Sequence, residues 1–139
     1  IDPKDKPSLR ALSLILGDKI IFDIREKQGL AYNLNAGIEM LGDKALFYIK
    51  QGTRPKNVDV LLPQYAGFLN PKMLNGVTPA DLEKSVNMYL GRMMFRRLSS
   101  INQGYYLGYS LYFHKDIRYD RQFLDHLKKV RLNDVQRVA

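Results

Sequence analysis

Arg25 and Tyr32 carry two side chains that could act together on a peptide carbonyl. They stand seven positions apart, on either side of a Gln28–Gly29 junction between a predicted helix and a predicted strand. A guanidinium offers several donors in a fixed fork and a phenol offers a hydroxyl, so together they suit a peptide carbonyl. A donor aimed at developing negative charge is worth about 10²–10³ in rate. Together they could hold and orient a peptide carbonyl but would deliver no nucleophile. Composition and motifs alone indicate no more than an α+β domain.

A structural role accounts for the same two residues. An arginine in the last turn of a helix interacts favourably with the helix carbonyl end. Tyr32 shares one face of the predicted strand with Leu34 and Ala36, as an ordinary core tyrosine does in a half-buried strand. Composition and spacing leave both roles open.

Metal-binding and nucleophile motifs are absent from the sequence. The chain has no cysteine, which excludes disulfides, thiolate zinc sites and cysteine nucleophiles. Its two histidines, His114 and His126, each lack a second histidine three or four residues away. His114 with Asp116 and Asp120 could be arranged around a metal, but solvated helix ends explain them better. We therefore assign no catalytic residue, no metal ligand and no cofactor to this chain.

The chain is basic, with 22 Lys and Arg against 14 Asp and Glu and a formal net charge of +8. Polyanions are the first partners that such a charge suggests. The cations are scattered, and we interpret their densest group, Arg92, Arg96 and Arg97, as a solvated helix face. The tyrosines in 105–112 recur at helical spacing, which favours helix packing over base stacking. Nucleic-acid binding is therefore a disfavoured alternative. The sequence shows no apolar run long enough to predict a membrane span, and no signal peptide.

The first half of the chain predicts two helices and a hairpin. A helix starts near Ser8 and breaks at Gly17 and Asp18, and a second helix covers about 19–27 and stops at Gly29. Apolar residues then alternate from position 31 to 40, which is typical of a half-buried strand. Gly42 and Asp43 predict a tight turn into a returning strand.

The second half predicts helices. One begins after Thr53 and is interrupted by Pro63, which lacks a backbone donor. Thr78, followed by Pro79 and Asp81, is a strong capping signal for a long helix that runs to about position 99. Three more helices follow. The fold class is α+β, an antiparallel sheet packed on one face by helices, and the lone hairpin needs further strands from elsewhere.

The segment IIFDIREKQGLAY, residues 20–32, resembles the second, non-zinc-binding half of peptidases of the pitrilysin or insulinase family. That family includes insulin-degrading enzyme and mitochondrial processing peptidase. Other segments are similar to the family in the same order: LSLILG, GIEMLGDKALFYIKQGTRPKNVDVLL, GVTPADLEKSVN and VRLNDVQRVA. The tyrosine-rich region matches only as a helix. The resemblance implies the processing-peptidase-like fold of these metallopeptidases.

The resemblance also implies a function. In the family, the catalytic half carries a His-x-x-Glu-His zinc motif, and this chain has no such string. The other half supplies an Arg and a Tyr, seven positions apart, that reach the substrate main chain, and Arg25 and Tyr32 match them. The implied partners are a peptide or protein substrate and a zinc-binding half, in the same chain or another subunit. By itself this chain is expected to hydrolyse nothing.

The chain starts at Ile1 and ends at Ala139 inside a predicted helix. We therefore expect residues 1–139 to be a single-domain fragment that lacks the first and last strands of the family's domain. Arg131 stands where the family usually has a threonine cap, and Pro63 is unusual within its helix. A non-catalytic scaffold subunit of the same family is the nearest alternative function. The sequence indicates neither substrate identity nor compartment nor oligomeric state.

Overall fold

The computed structural model describes residues 1–41 and 44–139. Nine elements follow one another in these ranges: α1 (Lys6–Ile21), a π-helical turn (Phe22–Lys27), β1 (Asn33–Leu41), β2 (Lys44–Gly52), α2 (Val58–Phe68), α3 (Pro79–Arg96), α4 (Ser100–His114), α5 (Tyr119–Leu127) and α6 (Leu132–Val138). Short 3₁₀ turns precede α1, α2 and α3. The predicted turn at Gly42 and Asp43 lies outside the described residues. Within the described ranges, every helix is too short or too polar to cross a bilayer.

Helix α1 continues through Gly17 and Asp18, so the predicted break there is wrong. A Cβ atom added to Gly17 would lie 3.2 Å from the carbonyl oxygen of Ala36 in β1. Gly17 therefore lets the helix approach the strand closely, and does not end the helix. The predicted stop at Gly29 is confirmed, because Gly29 has a φ of +62° in the left-handed region.

The hairpin follows its predicted alternation. β1 and β2 pair antiparallel, in a register that aligns Gly37 with Tyr48. Leu34 and Ile38 are buried on the face towards α1, whereas Asn35 and Glu39 are exposed on the other face. The helices therefore cover one face of this two-stranded sheet.

Pro63 lies inside α2, which runs without interruption from Val58 to Phe68, so the predicted interruption is wrong. Pro63 and Asp59, four residues earlier, are both exposed. The carbonyl that loses its helical donor to the proline ring can therefore bind water. The buried residues of α2 are Leu61 and Phe68.

Helix α3 begins as predicted. The Thr78 hydroxyl accepts from the Asp81 N–H at 3.2 Å, and the Asp81 carboxylate accepts from the Thr78 N–H at 2.8 Å. This reciprocal capping box satisfies two backbone donors at the helix start. The helix ends at Arg96, three residues before its predicted end, and the three later helices are present as predicted.

Two predictions about the arginines and tyrosines near α4 need correction: Arg92 and Arg96 are exposed as expected, but Arg97 and the tyrosines differ from expectation. Arg97 is not simply solvated, because its guanidinium donates to Asp120 at 2.6 and 3.0 Å and lies 4.4 Å from the ring centre of Tyr106. Tyr105 and Tyr112 are 62% and 71% exposed, so they are not packed inside the chain. Helical spacing identifies one face of a helix, but it does not say whether another element covers that face.

The buried residues form two clusters. The first lies between α1, α3, α5 and α6 and includes Ala11, Val86, Leu127 and Val135. The second lies between the end of α1, the hairpin and α2. Its members are Leu16, Ile20, Ile24, Ala31, Leu34, Leu61 and Phe68. The second cluster contains the buried neighbours of both candidate substrate-binding residues.

Candidate functional site

Residues 24–34 join the π-helical turn to β1, and we call this segment the corner. The Arg25 carbonyl accepts from the Gly29 N–H at 3.1 Å, and the Ile24 carbonyl accepts from the Leu30 N–H at 3.2 Å. These two bonds close the end of the helix around the left-handed Gly29. Arg25 and Tyr32 therefore lie on either side of a tight reversal of the chain.

Sequence analysis missed the π-helical turn, Phe22–Lys27. π-Helical geometry is rare and occurs frequently at functional sites. An ion pair between Asp23 and Lys27 at 2.7 Å spans the turn. Helix-period patterns do not distinguish a wider turn from an ordinary one, so the sequence offers no clear signal for it.

Buried side chains and polar contacts hold the corner in place. Ile24 is fully buried, and Ala31 and Leu34 are 8% and 5% exposed. The Thr53 hydroxyl donates to the Leu30 carbonyl at 2.6 Å, which ties the corner to the segment after β2. Gln28 exchanges two amide hydrogen bonds with a glutamine of α2, at 2.9 and 3.1 Å. The backbone of the corner is thus fixed on several sides.

Tyr32 is 98% exposed. The interpretation of Tyr32 as a core tyrosine is therefore wrong. The chain bends at Tyr32 and the strand begins one residue later, so the alternation of β1 does not extend to this side chain. Its N–H donates to the Gly52 carbonyl at 3.0 Å, while its hydroxyl has no hydrogen-bond partner in the described ranges. A rigid backbone thus carries an unengaged phenol.

Among the described residues, Glu26 is the side chain that holds the Arg25 guanidinium. Its Nε and Nη2 atoms each lie 2.8 Å from the Glu26 Oε1 atom, and the two side chains are 45% and 52% exposed. Exposed pairs of this kind are worth about 0–1 kcal/mol, so a ligand can replace the contact at little cost. Nothing in the described ranges shows the Arg25 side chain bonded to the helix carbonyl end.

The groups considered for a metal are engaged elsewhere. The His114 ring stacks on Tyr119 with ring centres 3.4 Å apart, and burial, with a smaller contribution from Lys6, lowers the pKa of His114. Asp116 accepts from Arg118 at 2.9 Å, and Asp120 pairs with Arg97. Across residues 1–41 and 44–139, no three potential ligand side chains converge. The donors in the described ranges therefore do not form a zinc site.

Comparisons with solved structures show the fold. A protease from Helicobacter pylori has 21% identity and a TM-score of 0.81, with 99% of this chain and 34% of that chain covered. A peptidase M16 inactive domain from Pseudomonas fluorescens has the same identity and coverage and a TM-score of 0.78. The periplasmic protease PqqL from Escherichia coli has 15% identity and a TM-score of 0.75, with 99% and 15% covered. These likenesses confirm the α+β class, and this chain spans about a third or less of each of the three.

The family assignment comes from the sequence. No curated protein matches the chain. The family model of the peptidase M16 inactive domain matches residues 1–89, which include α1, the corner, the hairpin, α2 and half of α3. The resemblance to the zinc-free half of these proteases is thereby confirmed. The chain belongs to the family of peptidase M16 inactive domains, the C-terminal halves that do not bind zinc.

Proposed function

We propose that this chain is the substrate-positioning half of a two-half M16 zinc metallopeptidase. Arg25 and Tyr32 hold the main chain of a peptide in a chamber between the halves. The zinc lies in the other half, which is part of the same polypeptide or of a partner subunit. The observation that carries this proposal is the 98% exposure of Tyr32 on a corner with a fixed backbone.

The chemistry of the two side chains supports positioning. The phenol donates a hydrogen bond to a peptide carbonyl oxygen, and the guanidinium adds charge-assisted donors. Both contacts strengthen as negative charge develops on that oxygen, so they favour the transition state over the bound substrate. In the assembled protease the zinc-binding half supplies the activated water. Arg25 and Tyr32 bind and orient the carbonyl but do not take part in proton transfer.

Residues 1–139 act, in this proposal, as one domain whose sheet is completed by strands outside the sequence. A two-stranded hairpin is marginal by itself, and β1 and β2 form a sheet of two strands in the described part of the chain. Further strands beside the hairpin would leave its helix-free face open towards a chamber. The corner would then lie at the border of that face.

The test uses the assembled two-half enzyme and an internally quenched peptide of about ten residues. Arg25→Ala and Tyr32→Phe are each expected to lower kcat/KM by a factor of about 10²–10³, because each removes a donor to the reacting carbonyl. Arg121→Ala and Tyr112→Phe are matched controls, since both side chains are exposed and distant in sequence from the corner. The controls should leave kcat/KM unchanged.

Unchanged turnover in both corner variants would contradict the assigned roles. An assembled protein without turnover, whose other half lacks His-x-x-Glu-His, would indicate the scaffold subunit. Binding of a random RNA or DNA duplex that weakens steeply with salt would indicate the nucleic-acid alternative.

A further inference from the structure

A continuous row of rings lies along α4, on a side of the helix that is exposed. The ring centres of Tyr105 and Tyr109 are 6.1 Å apart, and those of Tyr109 and Phe113 are 4.7 Å apart. Tyr112 joins the row 4.9 Å from Phe113, and Ile101, one turn before Tyr105, is 85% exposed. All five side chains are exposed, and together we call them the α4 surface.

The composition of α4 is typical of a helix that another element covers. Its 15 residues include no Lys, Arg, Asp or Glu. A second side of the helix is also apolar and exposed, at Leu107 and Leu111, and among the described residues of α4 the buried one is Ser110. Helices that are apolar on most sides are normally buried, and contiguous exposed apolar patches mark interaction sites.

The charges around the α4 surface indicate what covers it. Residues 84–115 contain no Asp or Glu but contain five cations: Lys84, Arg92, Arg96, Arg97 and Lys115. Of these, Arg97 is the one that forms an ion pair within residues 1–41 and 44–139, with Asp120. Arg96 ends α3 just before α4. Lys115 follows the end of α4, where its ammonium lies 5.3 Å from the ring centre of Tyr112.

The surface is therefore apolar along its length and positively charged towards both ends. A helix of 15 residues is about 22 Å long. A complementary partner presents apolar side chains along a similar length and carboxylates towards both of its ends. The hydroxyls of Tyr105, Tyr109 and Tyr112 have no hydrogen-bond partner in the described part of the chain, so they are free to donate to such a partner.

The α4 surface is distant from the corner. Ser85, in the first half of α3, donates to Asp18 near the end of α1 at 2.7 Å, whereas the Tyr89 ring lies 5.9 Å from the Arg10 guanidinium near the start of α1. Helix α3 thus runs antiparallel to α1, and its end, which α4 follows, lies towards the start of α1. The corner comes after the other end of α1, a helix about 24 Å long.

We propose that the α4 surface docks a helix of a separate protein, one with an apolar stripe and Asp or Glu residues near both ends. A second copy of this chain does not fit, because its α4 surface carries the same positive ends. Helices that lie on lipid carry Lys and Arg along their length, and α4 carries none. Tyrosine, in contrast, is enriched at protein interfaces. The inference does not depend on the proposed function.

The test measures binding of two fluorescent peptides to the assembled two-half protein by anisotropy. Both are synthetic amphipathic helices of about eighteen residues with a leucine stripe, one with Glu and the other with Lys near its ends. The Glu peptide should bind at least about tenfold more tightly than the Lys peptide, and its binding should weaken with salt.

Variants locate the binding. Ile101→Ala and Tyr112→Ala should each raise the Kd of the Glu peptide about tenfold, because central apolar and aromatic contacts carry most of the binding energy. Leu62→Ala removes an exposed aliphatic side chain of α2 and is the matched control, with an unchanged Kd. Lys115→Glu should weaken the Glu peptide and strengthen the Lys peptide. Such a reversal is not produced by unfolding, which weakens both peptides alike.

Several results would overturn the inference. These are no binding, equal binding of the two peptides, and unchanged Kd values in the α4 variants. A higher Kd in Tyr32→Phe would place the peptide at the corner. Hydrogen exchange that finds α4 already protected in the assembled protein would mean that the other half covers it. Binding to phosphatidylserine vesicles that is lost in Tyr112→Ala would indicate a lipid surface. Each of these results leaves the proposed function to its own test, which is turnover in the corner variants.

Discussion

Residues 1–89 and residues 90–139 both contribute residues to the buried core but differ in how they relate to the family. The family model matches only the first region, whereas the structural likenesses cover 98–99% of the chain. Both regions contain fully buried residues, such as Ile24 in the first and Leu127 in the second. The difference therefore does not come from the presence of a core.

Most positions where the backbone departs from ordinary helix and strand lie in the first region. Gly17 allows close contact between α1 and β1, the chain then widens into a π-helical turn, and Gly29 reverses it. Each of these features restricts which residue types fit at its position. In the second region, Lys115 has a positive φ of 55° where α4 ends. Helices α4 to α6 otherwise depend mainly on apolar residues of suitable size at helical spacing, which many sequences provide.

The largest expected effects are losses of stability when a buried side chain is truncated, and they should be similar in the two regions. Ile24→Ala and Leu127→Ala each remove a fully buried side chain and leave a cavity, so each should lower the free energy of unfolding by about 2–5 kcal/mol. Urea unfolding followed by circular dichroism measures both. A negligible loss for Leu127→Ala would contradict the claim that the second region contributes to the packed core.

Glycines should respond in opposite directions. Gly17→Ala places a methyl 3.2 Å from a strand carbonyl that cannot easily move, and should destabilise the protein by about 1–3 kcal/mol. A Cβ at Gly104 in α4 meets nothing within 4 Å, so Gly104→Ala should stabilise by about 0.5–1 kcal/mol through helix propensity. Thermal unfolding of the two variants provides the measurement. If both variants stabilised the protein, or both destabilised it, the proposed difference between the two regions would be contradicted.

The smallest effect concerns pH and lies in the second region. Burial lowers the pKa of His114 below its ordinary value of 6.5, so the unfolded chain binds the proton more tightly than the folded protein. Stability should therefore fall as the pH drops through the range just below 6.5. His114→Phe keeps a ring against Tyr119 and should reduce this slope. Denaturant titrations at pH 7.5 and 5.5 test it, and an unchanged slope in the variant would contradict the assignment.

Local patterns predicted much of the fold. The alternation of β1 and the Thr78 capping box depend on neighbouring residues, and both are present as predicted. The role of Gly17 depends on Ala36, nineteen residues away, and single-sequence patterns carry no such information. The prediction that the α4 tyrosines are packed was wrong for the same reason, since spacing does not reveal which elements cover a helix.

The candidate site could be predicted only in part. The family resemblance assigned Arg25 and Tyr32 to the site, but strand alternation assigned Tyr32 to the buried face. The bend at Tyr32 and the start of β1 at Asn33 reverse that second assignment.

A structure of the assembled two-half protein with an uncleavable peptide bound would test the central claim most directly. The measurement is the distance from the Arg25 guanidinium and the Tyr32 hydroxyl to the nearest peptide carbonyl oxygen. We predict that both distances are about 2.6–3.2 Å and that both groups reach the same carbonyl. A peptide that passes the corner with neither group in hydrogen-bonding range would contradict the account.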